Sequence, residues 1–199
     1  MTLVRTDTAD IRAVAIGASA GGVQALCELL PALSPGSRVA VFVVLHLPRN
    51  RPSLLVDVFS QKCELEVREA EDKEPVAAGT VYFAPSNYHL LLERGPQLQR
   101  APQLALSADD PVHHSRPSID VLFESAADVY ADRLAGVILT GANEDGAAGL
   151  AAVHDRGGLT VVQQPHTARS PQMALSALKL RPADLVLPLG QIAVLLGTL

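Results

Sequence analysis

Residues 39–45 read Val-Ala-Val-Phe-Val-Val-Leu, an unbroken apolar run that ends at His46. A strand that is apolar on both sides must be covered on both sides, which is the situation of a central strand in a parallel sheet. The run is far too short to span a bilayer, so no membrane insertion is expected. The rest of the chain agrees. Strand-like runs at 13–16, 135–139, 159–162 and 185–187 alternate with helical patterns at 21–33, 51–60, 146–156, 171–179 and 190–196. This alternation predicts an α/β fold: three layers, with a doubly wound, mostly parallel sheet and helices on both faces.

The middle of the chain breaks the rhythm. Short strand-like runs at 64–69, 80–84, 89–93 and 97–100 are separated by Gly, Pro and Asn, and read as an inserted antiparallel hairpin region. Beyond it, Ile119, Leu122, Phe123, Ala126, Ala127 and Tyr130 share one helical face, with Asp120, Glu124 and Asp128 on the other. Neither repeats nor a linker interrupt the sequence, so residues 1–199 read as one domain with 1–11 as an N-terminal tail.

Composition narrows the function. The net charge is −5 and no basic block interleaved with aromatics occurs, which removes the electrostatic footprint of nucleic-acid binding. The N-terminus carries acidic residues and no apolar signal core, so a cytoplasmic enzyme or regulator is expected. Cys27 and Cys63 are read as free thiols, because disulfides are rare in that compartment.

Open parallel sheets bind ligands beyond the carboxyl ends of their strands, and three such ends carry chemistry here. The first strand runs into Gly17-Ala18-Ser19-Ala20-Gly21-Gly22, a Gly-x-Ser-x-Gly pattern at a strand-to-helix turn. Such a turn leaves a hydroxyl uncovered, and a serine hydroxyl needs a nearby base to become a nucleophile. Two other readings stand beside this one. Ser19 is also a good helix N-cap. The glycines also partly fit a dinucleotide-binding turn, although Ser19 occupies the middle glycine position and His46 stands where an acidic ribose ligand belongs.

The second strand ends at His46, either a hydrogen-bonded strand-end residue or a general base. The strand at 135–139 leads to Thr140-Gly141-Ala142-Asn143-Glu144-Asp145-Gly146. There Asp145 is either the cap of the next helix or the carboxylate that orients the base. The order Ser, His, Asp differs from the α/β-hydrolase order Ser, Asp, His, which rejects that fold and leaves the chemistry open.

These residues, taken with several further segments, resemble the catalytic domain of the chemotaxis protein-glutamate methylesterase family over nearly the whole chain. The segments are Ala15-Ile-Gly-Ala-Ser-Ala-Gly-Gly22, Leu45-His-Leu-Pro48, Arg68-Glu-Ala-Glu-Asp72, Tyr82-Phe-Ala-Pro85 and Tyr88-His-Leu90. Arg116-Pro-Ser-Ile-Asp-Val-Leu-Phe123, Val137-Ile-Leu-Thr-Gly141 and Asp145-Gly-Ala-Ala-Gly149 continue the match in order. The resemblance places the family's serine, histidine and aspartate on Ser19, His46 and Asp145. It implies hydrolysis of glutamate methyl esters on the cytoplasmic helices of chemoreceptors and, in many members, deamidation of receptor glutamines. It implies neither metal nor cofactor, and an oxyanion hole from the backbone N–H groups of Ala20 and Ala142.

Departures from the family pattern fall near the site. The family's Gly-Met-Gly before the aspartate is Gly141-Ala142-Asn143 here, and its Gly-Met-Pro near the C-terminus is Gln172-Met173-Ala174. Asn143 is expected to take over a positive φ from the glycine. Asn143, Met173 and Arg116 are the candidate substrate-binding residues, with Arg116 read either as placing an acidic receptor segment or as a solvated side chain. The family's usual receiver domain does not precede the first strand, so a free-standing esterase or a catalytic fragment is expected, with a separate receiver or signalling protein as a second partner. A catalytically impaired binding module and a small-molecule esterase are the alternatives.

The remaining residues point elsewhere. His89 reads as structural. His113 and His114 lack further ligands at metal spacing. Ser118 is expected to cap the helix that follows Pro117.

Overall fold

The computed structural model describes residues 10–47, 54–95 and 101–199. The strand expected at 97–100, the start of the helix expected at 51–60 and most of the N-terminal tail lie outside these residues.

Seven strands form the main sheet: β1 (Ala13–Ala18), β2 (Ala40–Leu45), β3 (Glu66–Glu69), β4 (Thr80–Phe83), β7 (Leu134–Ile138), β8 (Leu159–Gln163) and β9 (Leu185–Leu187). Their order is β3-β4-β2-β1-β7-β8-β9, and every neighbouring pair is parallel. The remaining two strands, β5 (His89–Glu93) and β6 (Gln103–Ser107), make a separate antiparallel pair. The hairpin expectation therefore holds only for β5. The segments expected as hairpins at 64–69 and 80–84 are parallel strands of the main sheet, and the partner of β5 is β6. Four-residue strands bounded by Gly and Pro look alike in either pairing, and only the long return of the chain makes these two parallel.

The sheet is covered on both sides. Alternate residues of β1 point opposite ways: Val14, Ile16 and Ala18 meet one core, while Ala13 and Ala15 meet the other. The first core takes α1 (Gly22–Leu29), α2 (Leu55–Ser60) and α6 (Leu189–Gly197) through Leu26, Phe59 and Ile192. The second takes α3 (Ile119–Tyr130), α4 (Ala147–Asp155), α5 (Gln172–Leu180) and the β5–β6 pair. Every residue of β1 and β2 is buried, and a buried Val, Leu or Ile contributes about 1.5–3 kcal/mol. A slip in register would displace the whole row, so the carboxyl ends of these strands are held in fixed relative positions.

One helix corrects the sequence reading. Asp120 is 4% exposed and lies against α4, where it accepts a hydrogen bond from Gly149 N at 2.6 Å. A side chain at Gly149 would sit 2.9 Å from the Asp120 backbone, so only glycine lets the two helices approach this closely. Cys27 and Cys63 are both free. Among the described residues, no helix is long and apolar enough to cross a membrane.

Candidate active site

β1 lies between β2 and β7, so the turns after these three strands lie side by side at one sheet edge. Strand order reverses here: the chain fills one side of β1 with β2, β4 and β3 before returning to β7 on the other. Crevices form at such switch points. Ala18 pairs with Leu45, and His46 N donates to Ala18 O at 3.1 Å. On the other side Ser19 N donates to Thr140 O at 2.9 Å. Backbone pairing alone therefore brings the Ser19, His46 and 140–146 turns together.

Local residues keep the turns open. Gly21 has φ 86°, and a Cβ there would lie 3.0 Å from the Arg169 side chain. The Thr140 hydroxyl donates to Ala20 O at 2.8 Å and accepts from Ser170 N at 2.9 Å, tying the serine turn to two others. Gly146 has φ 96°, and a Cβ would approach Ile138 Cδ1 to 2.5 Å. Gly146, not Asp145, is the N-cap of α4. The cap reading of Asp145 is overturned, because the left-handed turn at Gly146 points the carboxylate away from α4 and towards α3.

Asp145 is fully buried and accepts four hydrogen bonds. Oδ2 receives His46 Nε2 at 2.9 Å and Ile119 N at 2.7 Å. Oδ1 receives the Ser118 hydroxyl at 2.8 Å and Asp120 N at 3.1 Å. Two of these donors belong to the first turn of α3, where unpaired N–H groups and the helix dipole favour a negative charge. Burial opposes ionisation, but the bonds from His46, Ile119, Asp120 and Ser118 outweigh it and hold the carboxyl below the usual Asp range. Asp145 is therefore a carboxylate, His46 Nε2 carries a proton, and in the neutral ring the lone pair is on Nδ1. Ser19 Oγ makes no hydrogen bond to a described residue. Ala20 and Ala142 are both exposed, and neither N–H donates to a described residue.

The other candidates take different parts. Arg116 is half-buried and bonded to neighbouring loops. Its Nη1 donates to Ala108 O at 2.7 Å and Asp109 O at 2.9 Å, while Nε and Nη2 both reach Asn87 Oδ1. With four of its five N–H donors engaged this way, it staples two loops together. Met173 is 1% exposed and packs beneath Gly141, where a Cβ would meet its Sδ at 2.6 Å. It supports the turn from below. Asn143 has no positive φ, so the expected backbone substitution for glycine does not occur. Its Nδ2 lies 3.4 Å from His46 Nδ1 instead, and its Oδ1 is buried without a partner.

Sequence reasoning missed Ser118 and Thr140. Ser118 caps α3 as expected, accepting from Val121 N, but its hydroxyl also donates across to Asp145. Nothing in the spacing of these residues signals that bond, because the partners are 27 positions apart. His89 is buried and structural, accepting from Ser118 N and bonding Asp110 O at 3.2 Å. His113 lies 3.3 Å from both Asp120 and Glu144. Burial first, and the Asp145 charge to a lesser degree, push Asp120 up to about 6 despite the opposing Gly149 N–H and His113. No group of three or more metal-ligating side chains occurs among the described residues. An open cavity of about 330 Å³, lined by Ala142, Asn143, His113, His114, Glu144 and Gln172, adjoins the aspartate turn.

A sequence model described as CheB methylesterase matches residues 14–196. The chain belongs to the CheB methylesterase family. A Leptospira interrogans protein named putative protein-glutamate methylesterase/protein-glutamine glutaminase is 43% identical over 91% of each chain. A Rhodopseudomonas palustris protein-glutamate methylesterase/protein-glutamine glutaminase is 38% identical over 91% of this chain and 49% of its own length. In three dimensions the Thermotoga maritima CheB methylesterase catalytic domain superposes with a TM-score of 0.89 at 32% identity, covering 94% of this chain and 98% of that one. The CheB fold is thus the fold of this chain, with its parallel sheet and small antiparallel pair.

Proposed function

We propose that this chain hydrolyses the methyl esters of glutamate side chains on chemoreceptors, with Ser19 as nucleophile, His46 as base and Asp145 orienting the base. The observation that carries the reading is the 2.9 Å bond from His46 Nε2 to a carboxylate held by three further donors, one strand away from the Ser19 turn. Family membership supports the substrate class.

His46 Nδ1 takes the Ser19 proton as Oγ attacks the ester carbonyl, and the carbonyl oxygen gains the negative charge. The N–H groups of Ala20 and Ala142 hold that charge; each such donor is typically worth about 10²–10³ in rate. The tetrahedral intermediate collapses, the C–O bond to methanol breaks, and Nδ1 returns its proton to the leaving oxygen. Water then repeats the sequence: Nδ1 takes its proton, hydroxide adds to the acyl carbon, and Ser19 leaves as the alcohol with glutamate as product. With a glutamine side chain the same steps release ammonia. Throughout, Asp145 keeps the imidazole in one tautomer and offsets its transient positive charge. The partners are the cytoplasmic receptor helices, and no step requires a metal or cofactor.

The test uses chemoreceptors carrying isotopically labelled methyl groups, alongside a fluorophosphonate probe. The expected result is release of labelled methanol together with covalent labelling of Ser19. Labelling without methanol release from receptors overturns the substrate in favour of small-molecule esters. Absence of both overturns the enzyme reading in favour of a binding module.

A further inference from the structure

Asn143 faces the one nitrogen on which the proposed chemistry depends. With Nε2–H committed to Asp145, the neutral His46 ring has a single lone pair, on Nδ1, and the Asn143 amide nitrogen lies 3.4 Å from it. An amide presents hydrogen there and not oxygen, because an oxygen facing a lone pair would be repelled. Ser19 Oγ, the group that has to give Nδ1 its proton, makes no hydrogen bond to a described residue. The base is therefore occupied and the nucleophile is not.

We infer that Asn143 is a latch on the base. Its N–H holds the Nδ1 lone pair in the resting enzyme and has to swing away before Ser19 can be activated. Two features keep the latch weak. The contact is at the long limit for a hydrogen bond. The pose also leaves Asn143 Oδ1 buried with no partner, a state that native structures seldom keep without a reason. Rotation of the side chain towards the adjoining cavity, which Asn143 itself lines, relieves both and frees Nδ1. Asn143 thus acts through His46 as a positioning residue, and it makes the resting site slower to acylate than the same site without the side chain. Because its backbone φ is not positive, alanine fits here without strain.

The inference rests on the Ser19–His46–Asp145 reading, so its test has to separate the two. Fluorophosphonate labelling rates are compared for the unaltered chain, Asn143→Ala, Asn143→Gly and Ser19→Ala, with the ¹⁵N resonance of His46 Nδ1 followed in each. Loss of one weak hydrogen bond at the base predicts labelling about 2–10-fold faster in both Asn143 variants. The Nδ1 resonance moves towards that of an unbonded lone pair, a change that a merely structural role of Asn143 does not produce. Labelling that is unchanged or slower in Asn143→Ala, with Ser19 still the labelled residue, overturns the latch and leaves the triad standing. Equal labelling in Ser19→Ala overturns the triad, and the latch with it.

Discussion

The two ends of the proposed triad are held very differently. Asp145 is fully buried and fixed by four donors from α3 and His46, whereas Ser19 Oγ has no hydrogen bond to a described residue and stands in a half-exposed turn. The orienting end is built like a core, and the reacting end is left open to solvent and substrate. Rigidity is thus concentrated where charge has to be held, and freedom is kept where a bond has to form. A carboxylate that is over-determined in this way keeps its imidazole partner in one tautomer without help from the nucleophile.

Four substitutions test that contrast, in falling order of effect. Asp145→Asn keeps the shape but removes the charge and presents a donor to α3; esterase turnover is expected to fall by about 10⁴, measured as methanol release, with the wrong imidazole tautomer as cause. A loss below tenfold breaks the comparison, because the buried end would then carry no chemistry. Gly146→Ala forces a side chain into a positive φ and against Ile138, so denaturant unfolding is expected to show about 2–5 kcal/mol of lost stability.

Asp120→Asn reads the electrostatics beside Asp145. Asp120 is raised to about 6, so the folded state holds its proton more tightly than the unfolded chain, and stability falls as pH rises from about 4 to 6. That share is at most about 3 kcal/mol. Denaturant titrations are expected to lose this downward slope in Asp120→Asn. Below pH 4 the opposite sign applies, since Asp145, held below its usual range, loses its stabilising charge as it is protonated. Arg116→Ala should destabilise by about 1–2 kcal/mol, given its staple to Asn87 and residues 108–109, while leaving KM for receptor unchanged. A raised KM with normal stability would return Arg116 to the substrate.

The same contrast governs what the sequence reveals. The central strands and their chemical ends were readable, because unbroken apolar runs and glycine turns are local signals. Ser19, His46 and Asp145 could be named as candidates from them, at strand ends on one edge of the sheet; that the aspartate turn follows the strand beside β1 comes from the structure. What holds Asp145 was not readable. Besides His46, its donors come from the start of α3 and its cap Ser118, and the reading of α3 as a simple amphipathic helix sent Asp120 to the wrong face, since Gly149 hides a polar contact inside a helix–helix interface. The packing of Met173 beneath Gly141 and the bonding of Arg116 to two loops were hidden for a related reason: proximity to the site in sequence says nothing about which way a side chain packs. Asn143 matched the glycine position only on paper, because the turn does not need a positive φ there.

The central claim is that three side chains from separate turns act as one unit, and a mutant cycle on methanol release from methylated receptors tests it most directly. Ser19→Ala and His46→Ala should each lower turnover by about 10⁴–10⁶, and the double variant should be no slower than the slower single. Losses that multiply in the double variant, or near-normal turnover in either single, would contradict it.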